Sequence, residues 1–267
     1  MAASRVITLT TDFGHKGPFS AVMKGVILSR LPDARVVDLA HDIPAHWPAE
    51  AGFWLQRAHK YFPRGTVHIA VVDPGVGTDR DIIIVATADY LFLAPDNGLL
   101  APLIESVEGA KVFTVDMARL ATLGIHNPSA TFHGRDIFAP LAAELASGRI
   151  TPADVGVPTS QWTPGWLDAP DVRDGHVAGV IVTVDAFGNL ISNIDGALLQ
   201  AFRHPVAHLA GNVFELHTTY GRVEPGQYLA LINSFGVLEI ARAEGSAAEG
   251  LGSERGAPIT VAEGLQT

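Results

Sequence analysis

Between residues 6 and 115, short apolar runs of strand length alternate with stretches in which apolar residues recur every three to four positions. Val6–Thr10, Val36–Leu39, Val67–Val72, Ile82–Ala88 and Val112–Val115 are rich in β-branched residues, which predicts strands. Phe19, Val22, Met23, Val26 and Ile27 share one helical face; Pro18 suits the first turn of that helix, and Leu31-Pro32 stops it. Ala49 to Phe62, closed by Pro63, and Arg135 to Ser147, closed by Gly148, predict two further helices. The alternation predicts an α/β domain over residues 1–150, sandwich-like, with a mainly parallel sheet. In such domains the loops before helix N-termini are the usual places for ligands.

The texture changes at Thr151. Pro152, Pro158, Pro164 and Pro170 recur with Trp162 and Trp166 between them and no helical period, which predicts an ordered connector over 151–175 that packs down on the domains. From His176 the helices disappear. Val177–Val184, Leu190–Ile194, Val213–Leu216, Tyr228–Ile232, Val237–Ala241 and Pro258–Val261 are short β runs punctuated by Gly, which predicts a small all-β barrel over 176–267.

Charge and composition narrow the function. Eighteen Lys and Arg against 28 Asp and Glu give a formal charge of −10, which repels phosphate backbones and argues against a nucleic-acid partner. A neutral or cationic small ligand fits better. There is no cysteine, so thiolate chemistry, disulfides and cysteine-held metal centres are excluded. The most apolar stretch, Ile82 to Pro95, is interrupted by Asp89 and falls short of the roughly 18 to 20 residues that a membrane helix needs. No apolar signal segment follows Met1-Ala2-Ala3-Ser4-Arg5, so the expected location is the cytoplasm, with no membrane partner.

Five segments carry candidate chemistry. Asp12, in Thr10-Thr11-Asp12-Phe13-Gly14, follows a strand and precedes a helix; it suits either a ribose diol or a helix cap. Val72-Asp73-Pro74-Gly75-Val76-Gly77-Thr78 lacks the spacing of a dinucleotide or phosphate loop, but Asp73 and Arg80 can pair across it, as site or as structural ion pair. His133, in Thr131-Phe132-His133-Gly134-Arg135-Asp136, precedes a helix; Phe132 can shield it and Gly134 allows close approach. Asp185-Ala186-Phe187-Gly188-Asn189 and Asn233-Ser234-Phe235-Gly236 suit either ligand contacts or β-turns.

Taken in order, Thr11-Asp12-Phe13-Gly14, Met23-Lys24-Gly25, Val72 to Thr78 with Arg80, Pro95-Asp96-Asn97-Gly98-Leu99-Leu100, Thr131 to Asp136, Asp185 with Phe187-Gly188-Asn189, and Asn233 to Gly236 resemble one family. It is the S-adenosyl-L-methionine hydroxide adenosyltransferases, adenosine-forming hydrolases related to fluorinating and chlorinating enzymes that attack the same substrate. The resemblance implies an N-terminal α/β domain, a C-terminal β-barrel, and a homotrimer whose active sites lie at subunit interfaces. It implies a catalytic Asp73, Arg80 and His133, where halogenating relatives carry Tyr in place of this Asp. It further implies that Asp12 holds the ribose, that Trp47 and Phe187 border the nucleoside, that Asn189 pairs with adenine, and that Asp185 and Ser234 hold the methionine amino and carboxylate groups, with Phe132 also among the substrate-binding residues.

The implied reaction is attack of water or hydroxide at C5′ of S-adenosyl-L-methionine, giving adenosine and methionine with no cofactor and no metal. A sulfonium leaves as a neutral thioether, so the chemistry itself asks for neither a general acid nor a metal. Three alternatives stand beside it: a non-catalytic S-adenosylmethionine or adenosine binder, a halide-using relative, and a metal-dependent hydrolase built on Asp73, His133 and Asp136.

Overall fold

Two-residue alternation within the β-branched runs builds the first sheet. The structure, a computed structural model, describes residues 4–264, and the chain divides into two compact units, Met1–Leu167 and Asp168–Thr267. In the first unit β1 (Val6–Thr11), β2 (Arg35–Ala40), β3 (Val67–Val71), β4 (Ile82–Ala86), β5 (Leu91–Pro95), β6 (Lys111–Val115) and β7 (Gly156–Thr159) run in the order β2-β1-β3-β5-β4-β6-β7. Strands β2, β1, β3 and β5 are mutually parallel, and β4, β6 and β7 extend the sheet antiparallel.

Both faces are covered, which is why these strands read as nearly continuous apolar runs. Val67, Ile69, Val71, Ile82 and Ile84 pack with Met23 and Ile27 of α1 (Phe19–Arg30) and with Leu141 and Leu145. Ala70, Val72, Ile83 and Val85 point the other way, onto Ala51 and Leu55 of α2 (Pro48–Ala58) and Leu103 of α3 (Ala101–Ser106). The chain therefore leaves β1 over one face to reach β2 and returns over the other to β3. That makes the β1/β3 boundary a topological switch point, the place at which open α/β sheets bind ligands beyond the carboxyl ends of their strands.

Several elements depart from the sequence expectation for local reasons. The Ile82 run continues into a hairpin, because the Thr87 hydroxyl accepts from the Tyr90 N–H at 3.0 Å and turns the chain without Gly or Pro. The second helix ends at Ala58 and tightens into a 3₁₀ turn over His59–Tyr61. After α4 (Met117–Leu120), the helix expected from Arg135 opens as one π-helical turn, Gly134–Phe138, before α5 (Ala139–Ser147). Pro140 explains the widened turn: it has no N–H to close on the Asp136 carbonyl, and its ring would crowd that oxygen.

The proline-rich stretch is more structured than its composition suggests. Thr151 and Asp154 form a capping box for α6 (Pro152–Val155), which leads directly into β7. Farther on, the Thr163 N–H donates to Asp96 Oδ1 at 2.9 Å and Trp166 Nε1 to the Asn97 carbonyl at 2.6 Å, so this segment is clipped onto the first unit.

In the second unit β8 (Asp171–Arg173) pairs with β9 (His176–Val184), and β10 (Leu190–Asp195), β11 (Pro205–Leu209), β12 (Asn212–Glu215), β13 (Tyr228–Ile232), β14 (Val237–Arg242) and β15 (Pro258–Glu263) complete an antiparallel sheet. Its order is β12-β11-β15-β9-β10-β14-β13, and its edges approach at a Leu216–Ala230 bridge, where the His217 N–H donates to the Ala230 carbonyl at 2.8 Å. The result is a nearly closed barrel filled by Ile181, Leu190, Ile194, Leu238, Ile240 and Ile259, with α7 (Ala247–Leu251) contributing Ala247. Among the described residues no helix is long and apolar enough to cross a membrane.

Candidate active site

Asp12 and Asp73 leave the carboxyl ends of adjacent parallel strands, since Thr11 and Val71 are register partners at the switch point. Asp12 caps no helix: α1 starts at Phe19 with Pro18 at its N-cap and no side-chain cap. Its Oδ2 instead accepts from the His46 N–H at 3.2 Å, while the Gly14 N–H donates to the His41 carbonyl at 2.8 Å. The loop after β1 is thus clasped to the loop after β2. That second loop carries Trp47, half-buried and edge-on to Trp166 with ring centroids 5.8 Å apart.

Asp73, Arg80 and His133 meet. Arg80 Nε donates to both Asp73 oxygens, at 2.9 and 3.0 Å, and Nη2 donates to Oδ2 as well. The two side chains are only 11% and 4% exposed, so the charge-assisted pair is largely desolvated and held in one geometry. Arg80 Nη2 also lies 2.9 Å from His133 Nδ1. A guanidinium has donors only, so Nδ1 must accept, and the neutral ring carries its proton on Nε2. Burial first, and then the Arg80 charge, push the His133 pKa below its ordinary value; Asp73 and Asp136 oppose the shift.

Residues outside the triad fix its two loops. Gly77 has φ +79°, and a side chain there would run into the Ala130 carbonyl, so only glycine lets the Asp73–Arg80 loop lie against the loop before His133. Asn97 Nδ2 donates to the Val72 carbonyl at 2.8 Å, anchoring the residue before Asp73. Asp136 accepts from Arg135 Nε at 2.6 Å and from the Ser129 N–H at 2.8 Å, bracing the loop that carries His133. Phe132 is half-buried, 5.8 Å from Phe13 and 5.5 Å from Phe19, in an aromatic wall against which Gly134 packs. Among the described residues no group of three or more His, Asp or Glu is arranged to hold a metal ion.

The remaining candidates belong to the second unit. Asp185 Oδ1 accepts from the N–H groups of Phe187 and Asn189, both at 2.9 Å, and Oδ2 from Asn189 Nδ2 at 3.0 Å. Asp185 thereby organises the β9–β10 turn, buries Asn189 and leaves Phe187 79% exposed. Ser234 is exposed in the β13–β14 loop. Leu190 pairs with Ile240 and Asp195 with Val237, so the two loops lie toward opposite ends of β14. The structure thus brings Asp12, Trp47, Asp73, Arg80, Phe132 and His133 together in one unit and sets Asp185, Phe187, Asn189 and Ser234 on the other. Among the bracing residues, Asn97 stands in a family-like motif without an assigned role, Asp136 is assigned a role only as a candidate metal ligand, and Gly77 reads only as a loop glycine.

Comparison with known proteins agrees with these motifs. The profile of the SAM hydroxide adenosyltransferase N-terminal domain matches residues 7–156 and that of its C-terminal domain residues 179–260. A protein of Salinispora tropica named (R)-S-adenosyl-L-methionine hydrolase is 39% identical, covering 99% of this chain and 100% of the relative. One of the same name from Thermus thermophilus is 37% identical over 96% and 98%, and a fluorinase of an Actinoplanes species is 26% identical over 96% and 97%. The crystal structure of a conserved protein from Thermotoga maritima superposes with a TM-score of 0.88 at 33% identity, covering 96% of this chain and all of that one. The chain belongs to the SAM hydroxide adenosyltransferase family.

Proposed function

We propose that this protein hydrolyses S-adenosyl-L-methionine to adenosine and L-methionine by in-line attack of a water-derived oxygen at C5′. One observation carries the reading: Asp73, Arg80 and His133, drawn from two different loops, are locked to one another with few degrees of freedom. Relatives of more than 30% identity over nearly the whole chain bear the hydrolase name, whereas the fluorinase falls at 26%.

The geometry also divides the work. The His133 Nδ1 lone pair already accepts from Arg80, so the ring presents Nε2–H, a donor that orients the attacking oxygen and does not take its proton. Arg80 adds positive charge that stabilises hydroxide character. Asp73 keeps unused acceptor positions on its oxygens and is the proton-accepting member of the set. As the O–C5′ bond forms, the C5′–S bond breaks with its electron pair staying on sulfur; methionine leaves neutral at that atom, and the oxygen loses a proton.

Asp12 holds the ribose hydroxyls, Trp47, Phe132 and Phe187 border the nucleoside, Asn189 reads the adenine edge, and Asp185 and Ser234 hold the methionine amino and carboxylate groups. These contacts are divided between the two units, and a homotrimer that pairs one subunit's first unit with a neighbour's second accommodates them. The compartment this reading assigns is the cytoplasm. Turnover in oxygen-18 water, with and without chelator, tests the chemistry. The label is expected on the 5′ oxygen of adenosine at the same rate in both; unlabelled adenosine, or release no faster than spontaneous decay, would refute it.

A further inference from the structure

Glu239 is a buried carboxylate, 2% exposed, in the middle of β14 and in register with Ile191 of β10 and Leu231 of β13. A carboxylate in such a place needs donors. Tyr220 Oη donates to Oε1 at 2.8 Å and Asn233 Nδ2 to Oε2 at 3.0 Å. Because Nδ2 is committed to Glu239, the Asn233 amide oxygen turns the other way and accepts from the N–H groups of Phe235 at 3.0 Å and Val237 at 3.4 Å. The amide therefore ties the strand interior to the Asn233–Gly236 loop, with Ser234 inside the bridge. That loop is held again where the Gly196 N–H donates to the Gly236 carbonyl at 2.8 Å. Burial first, and the charge of Asp185 in addition, push Glu239 up, while Tyr220 and Asn233 pull it down.

We propose that Glu239 is a positioning residue for the methionine end of the substrate: its carboxylate sets the Asn233 amide, and through it the loop that presents Ser234. The proposal rests on the role given to Ser234 above and adds the group that holds it in place. An apolar residue at 239 leaves Asn233 Nδ2 unpaired and its amide free to turn. A glutamine does not, because its Oε1 accepts from Asn233 while its Nε2 donates to Tyr220 Oη.

Calorimetric binding of S-adenosylmethionine and of adenosine to the full chain separates this role from general damage, since adenosine lacks the methionine end. E239L is expected to weaken S-adenosylmethionine about tenfold, the scale of one such hydrogen bond, with adenosine affinity held within about twofold. E239Q should stay close to wild type for both ligands. If E239L fails to fold, N233A cuts the same link in the half-buried loop residue and should show the same split. Parallel loss of both ligands, or S-adenosylmethionine affinity unchanged in both E239L and N233A, overturns the proposal. A wild type that binds S-adenosylmethionine without cleaving it removes the hydrolase reading and leaves this comparison standing; one that binds neither ligand removes both.

Discussion

At the residue scale, the decisive feature is which atom of His133 carries a proton. Arg80 donates to Nδ1, so a second proton on that ring would face the guanidinium, and burial disfavours the cation as well. Removing Arg80 leaves the burial, takes away the opposing positive charge, and leaves Asp73 uncompensated nearby. In Arg80→Met, proton NMR of the His133 ring should therefore titrate at higher pH than in wild type. The neutral, competent ring of the wild type persists below the ordinary histidine range and is lost as pH falls through its lowered pKa. The same variant should lose turnover by about a hundredfold or more, with a smaller change in KM, because the guanidinium acts on developing charge. Unchanged turnover would exclude Arg80 from the chemistry. Seven positions separate Asp73 from Arg80, so their pairing is legible in the chain; His133 lies 53 positions beyond Arg80, and no local rule joins them.

At the element scale, the triad depends on two loops lying flush. Gly77 makes that contact possible, and a methyl group there would collide with the Ala130 carbonyl at a backbone angle that side chains disfavour. Gly77→Ala should lower stability by about 1–3 kcal/mol in denaturant titration. It should also reduce kcat more than the affinity for adenosine, because Asp12 and Trp47 sit on other loops; retained kcat would show that the two loops need not touch. The π-helical turn after His133 illustrates why element boundaries escape sequence reading. Apolar periodicity marks the helix, but the widened turn follows from the missing N–H of Pro140, which lies inside the predicted Arg135–Ser147 helix. The β4–β5 hairpin escapes for the opposite reason, a turn made by a threonine hydroxyl with no glycine or proline to announce it.

For the whole molecule, the division of candidate contacts between two units makes assembly a question of function. If each site combines the first unit of one subunit with the second of another, Arg80→Met and Asp185→Ala damage opposite halves. Mixed trimers of the two inactive variants then contain some sites with both halves intact. Co-refolding them should restore a measurable share of wild-type turnover, absent when either variant is refolded alone. Sites completed within one chain would give no recovery, and sedimentation of the wild type as a monomer would remove the trimer.

The sequence alone determined the kinds of layer: β-branched runs and helical periods specify an α/β unit followed by a β unit, because burial on two faces or one leaves its mark on every second or fourth residue. Ordered motifs marked Asp12, Asp73, Arg80 and His133 as well, because their spacing is local to each loop. The tertiary structure decided what those loops meet: the switch point that sets Asp12 beside Asp73, the Arg80 contact that fixes the His133 tautomer, and the buried partners of Glu239. Hydrogen bonds and charges act through space, so groups on different strands and loops acquire their chemistry only once folding brings them together.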